Sequence, residues 1–298
     1  MPEGPEVRRE ADAIGRVLTG KKLTESFFEP ARLKNFARRL VGQEVVEVTT
    51  RGKALLIFFQ NGRVLYSHNQ LYGRWVVVPK DKPPNTKRTL RVALTTDTHS
   101  ALLYSATDVA LMGKKDLKIH PYLKKLGPDV LSDTLSWRDI AERLCNKRFS
   151  GRSISGLYLD QSFLAGLGNY LRSEILFVAG IDPACRPKDL EPAKLNELAR
   201  STLLISIRAY KTGGVTNHPD TVRMETQSML LNRLVDALVD LVPPPNQPVN
   251  VADVMSRRAR ACGTVGTTCT CCCASSAHIS ISVLPEIRVT KLQFPHRC

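Results

Sequence analysis

A chain of 298 residues with 43% hydrophobic content is long enough for two domains of ordinary size and too apolar for general disorder. A formal net charge of +15 directs attention to anionic partners, with nucleic acid ahead of an anionic membrane. No stretch has the apolar length of a membrane span, and Glu3, Glu6, Arg8, Arg9 and Glu10 leave the start without the apolar core of a secretory signal, so a soluble intracellular protein is expected.

The chain opens MPEGPEVRRE. Proline behind the initiator methionine favours removal of that methionine, which exposes a secondary amine at Pro2 beside the carboxyl of Glu3. A free α-amino group has a pKa of roughly 7.7–8.0, so part of it is neutral and nucleophilic near pH 7. The plainer reading is that Pro2 begins a helix, where its missing N–H costs nothing. PEVRREADAIGRVLTGKKL has the helical period, with Val7, Ala11, Ile14, Val17 and Leu18 on one stripe and Gly20 closing it.

Beyond that helix the period changes to short β-rich runs: EVVEVTT, KALLIFF, GRVLYSHNQLYGRWVVV, RVALTTD and SALLYSA. Such spacing predicts an antiparallel sandwich or barrel. From about residue 131 the pattern is helical, in TLSWRDIAERLC, SISGLYLDQSFLAGLGNYLRSEILFVAG and EPAKLNELARSTLLISIRAY. The middle segment breaks at GLGN, which predicts a helix, a tight double turn and a second helix with Asn169 as its N-cap. The fold class is therefore α+β. A helix packs on an antiparallel β-sandwich over 1–130, a helical domain occupies 131–212, and a tail of different character occupies 213–298.

Lys53 in TRGKALL reads by itself as a solvated strand-edge lysine. Gln70, Leu71 and Tyr72 read as hairpin filler, and Gly166 and Gly168 as the means to a close helix connection. Together and in order, however, PEGPEV, TRGKALL, SHNQLYG, LGPDVL and DQSFLAGLGNYLRSEILF resemble the formamidopyrimidine-DNA glycosylase and endonuclease VIII family of bacterial DNA glycosylase/AP lyases. QLYG after SHN looks closer to the endonuclease VIII branch. The resemblance runs from residue 1 to about 217.

That resemblance implies a base-excision repair enzyme. It would remove oxidised bases, pyrimidines above all, and cut the strand by β/δ-elimination. It would act as a cytoplasmic, nucleoid-associated monomer on double-stranded DNA, with no cofactor for the chemistry. Pro2 would be the Schiff-base nucleophile, Glu3 a proton donor in sugar opening or base release, and Lys53 a proton donor in elimination. Gln70, Leu71 and Tyr72 would fill the space left by an everted base. Lys125 would contact DNA, with the charge but not the fork of arginine. Asn169 would open a helix whose free N–H groups hold a phosphate.

The tail departs from the family. Six of the eight cysteines are Cys262, Cys269, Cys271, Cys272, Cys273 and Cys298, behind a proline-rich LVPPPNQPVN. The family ends in a structural zinc ribbon with two C-x-x-C pairs, whereas Cys269 and Cys272 form one such pair here. Cys262, Cys269, Cys272 and Cys298 are the candidate zinc ligands. The expectation is that the tail was read out of frame or descends from a decayed gene end, and that losing a phosphate-contacting hairpin weakens activity on duplex DNA. Two other readings stand beside the enzyme: a catalytically inactive damaged-DNA-binding protein, and a tautomerase using Pro2 as a base.

Overall fold

A computed structural model describes residues 2–217. Helix α1 spans Gly4–Leu18 and buries Val7, Ala11, Ile14 and Leu18, the stripe its period predicts, with Val17 at the margin. Two four-stranded antiparallel sheets follow. One holds β2 (Val45–Arg51), β3 (Ala54–Phe59), β4 (Arg63–His68) and β8 (Asp108–Gly113), in the order β2-β3-β4-β8. The other holds β1 (Glu25–Phe28), β5 (Arg74–Pro79), β6 (Leu90–Thr95) and β7 (His99–Tyr104), in the order β1-β6-β7-β5.

The near-continuous apolar text of β3 reflects burial on both faces. Leu55, Ile57 and Phe59 enter the core shared by the two sheets and α1. Ala54 and Leu56 face the other way, against Leu117 and Leu123 from two short 3₁₀ turns, Lys114–Lys118 and Leu123–Lys125. Three elements go beyond the sequence reading: β1, β8 and helix α2 (Ala31–Leu40). In α2, Leu33, Phe36, Ala37 and Leu40 recur at helical spacing and join the sandwich core.

A separate core forms among α3 (Trp137–Cys145), α4 (Ile154–Leu157), α5 (Asn169–Ala179) and α6 (Pro192–Thr212), beginning at Val130. Ser136 caps α3 by accepting the Asp139 N–H. Only one turn of helix, α4, precedes the double turn. Among the described residues no helix is long and apolar enough to cross a membrane. Residues 213–216, at the start of the predicted tail, continue this folded part: Thr216 is buried and its hydroxyl donates to Glu174 at 2.9 Å. The tail beyond residue 217, with the candidate zinc ligands Cys262, Cys269, Cys272 and Cys298, lies outside the described residues.

Candidate active site

The first turn of α1 is pinned to the double turn. Gly4 N–H donates to the Gly166 carbonyl at 2.8 Å, and Gly4 and Gly166 meet so closely that a Cβ on Gly4 would lie 3.1 Å from the Gly166 Cα. This contact delivers Glu3 to the start of α5. The Glu3 carboxylate accepts the N–H of Tyr170 at 3.0 Å and that of Leu171 at 3.4 Å. The N-cap of α5 is Gly168 and Asn169 is the first helical residue, which corrects the expected N-cap. Gly168 is required there, because a Cβ would stand 2.3 Å from the Glu3 carboxylate. The helix N-terminus is therefore already occupied at Tyr170 and Leu171 by a carboxylate, so those N–H groups are not free for phosphate; Asn169 itself is exposed.

Lys53 sits at the tip of the β2–β3 hairpin, in a two-residue loop whose first position, Gly52, has φ +59°. The tip is clasped from below. Gly52 N–H donates to Asp129 Oδ2 at 2.7 Å and Lys53 N–H donates to the Tyr122 hydroxyl at 3.2 Å. Asp129 Oδ1 also accepts the Leu131 N–H at 2.9 Å. Lys53 is 6% exposed and Glu3 2%, so Lys53 is buried and not the solvated strand-edge lysine that it resembles when read by itself. Burial raises the Glu3 carboxyl above its ordinary range, opposed by the Tyr170 N–H and the Lys53 charge. Burial likewise lowers the Lys53 ammonium, opposed by Glu3. Desolvation thus brings the proton affinities of an acid, the chain neighbour of Pro2, and of the lysine whose charge acts on it towards each other, an arrangement suited to proton transfer.

Glu6 was not singled out in the sequence, though its spacing from Glu3 is that of a capping box. Its Oε2 accepts the Glu3 N–H at 3.0 Å, and Tyr170 donates its hydroxyl to Glu6 Oε1 at 3.0 Å. Asp129, Tyr122 and Tyr170 were also missed. LGPDVL displays Asp129 openly, but its partner Gly52 is distant in sequence.

Gln70, Leu71 and Tyr72 do not fill a hairpin. β4 and β5 belong to different sheets, and the loop between them crosses from one to the other. Leu71 is 56% exposed and Tyr72 68%, which puts an apolar and an aromatic side chain side by side at the surface. Gln70 has φ +52°, and three hydrogen bonds, two of them at Gln70, hold the loop. The Gln70 N–H donates to His68 Nδ1 at 3.0 Å, and its side-chain oxygen accepts the Thr107 hydroxyl at 2.5 Å. Arg88 donates to the Tyr72 carbonyl at 2.7 Å. Pro2 and Glu6 share a cavity of about 480 Å³ with Leu71 and Tyr72. Lys125 lines a separate cleft of about 1000 Å³ together with Lys124, Arg143 and Arg148, and Tyr122 from beneath Lys53 also borders it. Among the described residues no cluster of three or more metal-ligating side chains occurs.

Two family models match the chain: that of the formamidopyrimidine-DNA glycosylase N-terminal domain over residues 1–109, and that of the formamidopyrimidine-DNA glycosylase H2TH domain over residues 126–219. Endonuclease 8 of Escherichia coli is 49% identical over 214 residues, which is 72% of this chain and 81% of that protein. Endonuclease 8 of Salmonella typhimurium matches to the same extent. Among solved structures, Lactococcus lactis Fpg bound to DNA containing an abasic site is similar with a TM-score of 0.62 at 23% identity, over 72% of this chain and 81% of that one. The same protein bound to N7-benzyl-Fapy-dG DNA gives 0.62 at 22% identity, over 73% and 82%. These structures share the fold.

Proposed function

The chain belongs to the formamidopyrimidine-DNA glycosylase family, and from that membership we propose that it is a bifunctional DNA glycosylase/AP lyase of base-excision repair whose nucleophile is the Pro2 nitrogen. Its substrate is double-stranded DNA carrying an oxidised base or an abasic site, with oxidised pyrimidines preferred. The observation that carries this reading is that Pro2 shares a cavity with the displayed Leu71 and Tyr72, while its chain neighbour Glu3 is buried and interacts with the charge of the buried Lys53.

Removal of Met1 frees the secondary amine. The amine nitrogen adds to C1′ of the everted nucleotide while the base leaves, taking a proton from a general acid. Sugar-ring opening gives an iminium, which is cationic without further protonation because proline nitrogen is secondary. Loss of the C2′ proton then expels the 3′ phosphate, and a second elimination releases the 5′ phosphate. Glu3 suits proton donation at the sugar or base, since burial keeps more of it protonated than an exposed glutamate. Lys53 suits proton donation during elimination. Leu71 and Tyr72 occupy the vacated stack, and Gln70 meets the orphaned base. Lys125 and its basic cleft draw in the phosphate backbone. The domains are a catalytic sandwich over 1–130 and a helix-two-turn-helix domain over 131–212, and no chemical step needs a metal.

Borohydride reduction in the presence of an abasic oligonucleotide tests the proposal. A covalent adduct that disappears in Pro2→Gly supports it. Retardation of the oligonucleotide without trapping would favour a damaged-DNA-binding protein instead. Intact-mass measurement adds an independent check, because a retained Met1 blocks the amine.

A further inference from the structure

Glu10 lies two turns along α1 beyond Glu3, and its carboxylate accepts the side-chain N–H of Asn69 at 2.7 Å and the backbone N–H of Trp75. Asn69 is 4% exposed, and its carbonyl accepts the Gly73 N–H at 2.7 Å, closing a tight loop over Gln70, Leu71 and Tyr72. A Cβ on Gly73 would lie 2.5 Å from the Asn69 carbonyl oxygen, so the closure admits no larger residue. The other bonds of this loop, from His68, Thr107 and Arg88, tie it to the sheets and their connections. Among the described residues, the hydrogen bonds that join it to α1 are those of Glu10. Glu10, Pro2, Leu71, Tyr72 and Trp75 all line the 480 Å³ cavity.

We infer that Glu10 is a positioning residue that fixes the displayed Leu71–Tyr72 loop relative to the helix bearing the nucleophile, so that wedge and amine reach the duplex in register. The inference rests on the void-filling reading of that loop. Burying a carboxylate is costly unless it is hydrogen-bonded, and here its bonds span two elements that must act on one nucleotide. Misplacing a reacting group by about 1 Å can cost on the order of a hundredfold in rate. The consequence falls on duplex DNA, where a stack must be opened and refilled, and spares a single strand.

The test compares single-turnover cleavage of one abasic oligonucleotide as a single strand and as a duplex, using the full chain. The ratio of the two rates cancels any loss of folded protein. Glu10→Ala and Asn69→Ala are expected to lower the duplex rate about tenfold or more while the single-strand rate stays within about twofold. Glu10→Gln restores part of the ratio, because its amide oxygen still accepts the Asn69 side-chain N–H. The double variant is no worse than either single one. A parallel fall on both substrates, or no fall on duplex, overturns the inference. Leu71→Ala separates it from its premise: a lowered ratio there with an unchanged ratio in Glu10→Ala removes the anchor alone. An unchanged ratio in Leu71→Ala removes the void-filling reading and the anchor with it.

Discussion

The carboxylate of Glu3 accepts the backbone N–H of Tyr170 at 3.0 Å, joining residues 167 positions apart in the chain. One side chain therefore caps α5 and stands beside the Lys53 charge. Binding by the helix N-terminus favours its ionised form, and burial favours the neutral form. Burial prevails, which leaves Glu3 able to donate a proton at higher pH than an exposed glutamate.

Gly168→Ala tests that cap directly. Its new Cβ would meet the Glu3 carboxylate at 2.3 Å, so the side chain must leave the α5 amides. We expect a loss of about 1–3 kcal/mol in stability from the uncapped N–H groups, seen in thermal melts. Base excision in single-turnover assays should fall at least tenfold, a loss of about 1.4 kcal/mol in transition-state stabilisation. Wild-type excision by this variant would mean that the cap has no part in catalysis.

Lys53 and Glu3 give a signed pH prediction. A lysine that donates a proton loses activity as pH rises through its pKa, and burial lowers that of Lys53 while the Glu3 charge opposes the fall. Glu3→Gln removes the opposing charge, so the alkaline limb of abasic-site cleavage should move to lower pH. An alkaline limb that stays in place, or moves upward, would separate Lys53 from the pH dependence.

Asp129 supports the hairpin tip that carries Lys53. Asp129→Ala deprives the N–H groups of Gly52 and Leu131 of their acceptor, and should cost about 1–3 kcal/mol. The rate of strand cleavage should fall with the concentration for half-maximal rate little changed, because in the proposed mechanism Lys53 acts after the substrate is bound. Asp129→Asn keeps one acceptor oxygen and should recover part of both losses. Denaturant melts and saturation kinetics measure the two effects.

Glu10 sets a dependence of stability on pH. Desolvation moves its carboxyl from 4.5 to about 7, with Asn69, Trp75 and Arg74 favouring the charge and Glu6 opposing it. A raised carboxyl keeps its proton when folded and releases it when unfolded. Its stabilising contribution is therefore complete below pH 4.5 and is lost as pH climbs to about 7. Glu10→Gln cannot titrate and should flatten that decline, by at most about 3 kcal/mol over the interval. Melting temperatures at pH 5 and pH 8 for the two proteins provide the measurement, and parallel slopes would contradict it.

Much of this protein was legible in its sequence, because the signals were local. The apolar stripe of α1 and the alternation and apolar runs of the strands each act within a few residues. The same local period was present in α2, where Leu33, Phe36, Ala37 and Leu40 lie among the β-rich text. PEGPEV, TRGKALL and QLYG marked Pro2, Glu3, Lys53 and the exposed loop as candidates without giving their surroundings. Three relationships required the tertiary structure: Glu3 fills the start of α5, Asp129 and Tyr122 clasp the hairpin of Lys53, and Glu10 holds Asn69. The physical reason is that a hydrogen bond or a desolvated charge depends on distance in space. Helix and strand periods constrain near neighbours in the chain, whereas packing two separate cores together decides which distant carboxylate lies beside which amide.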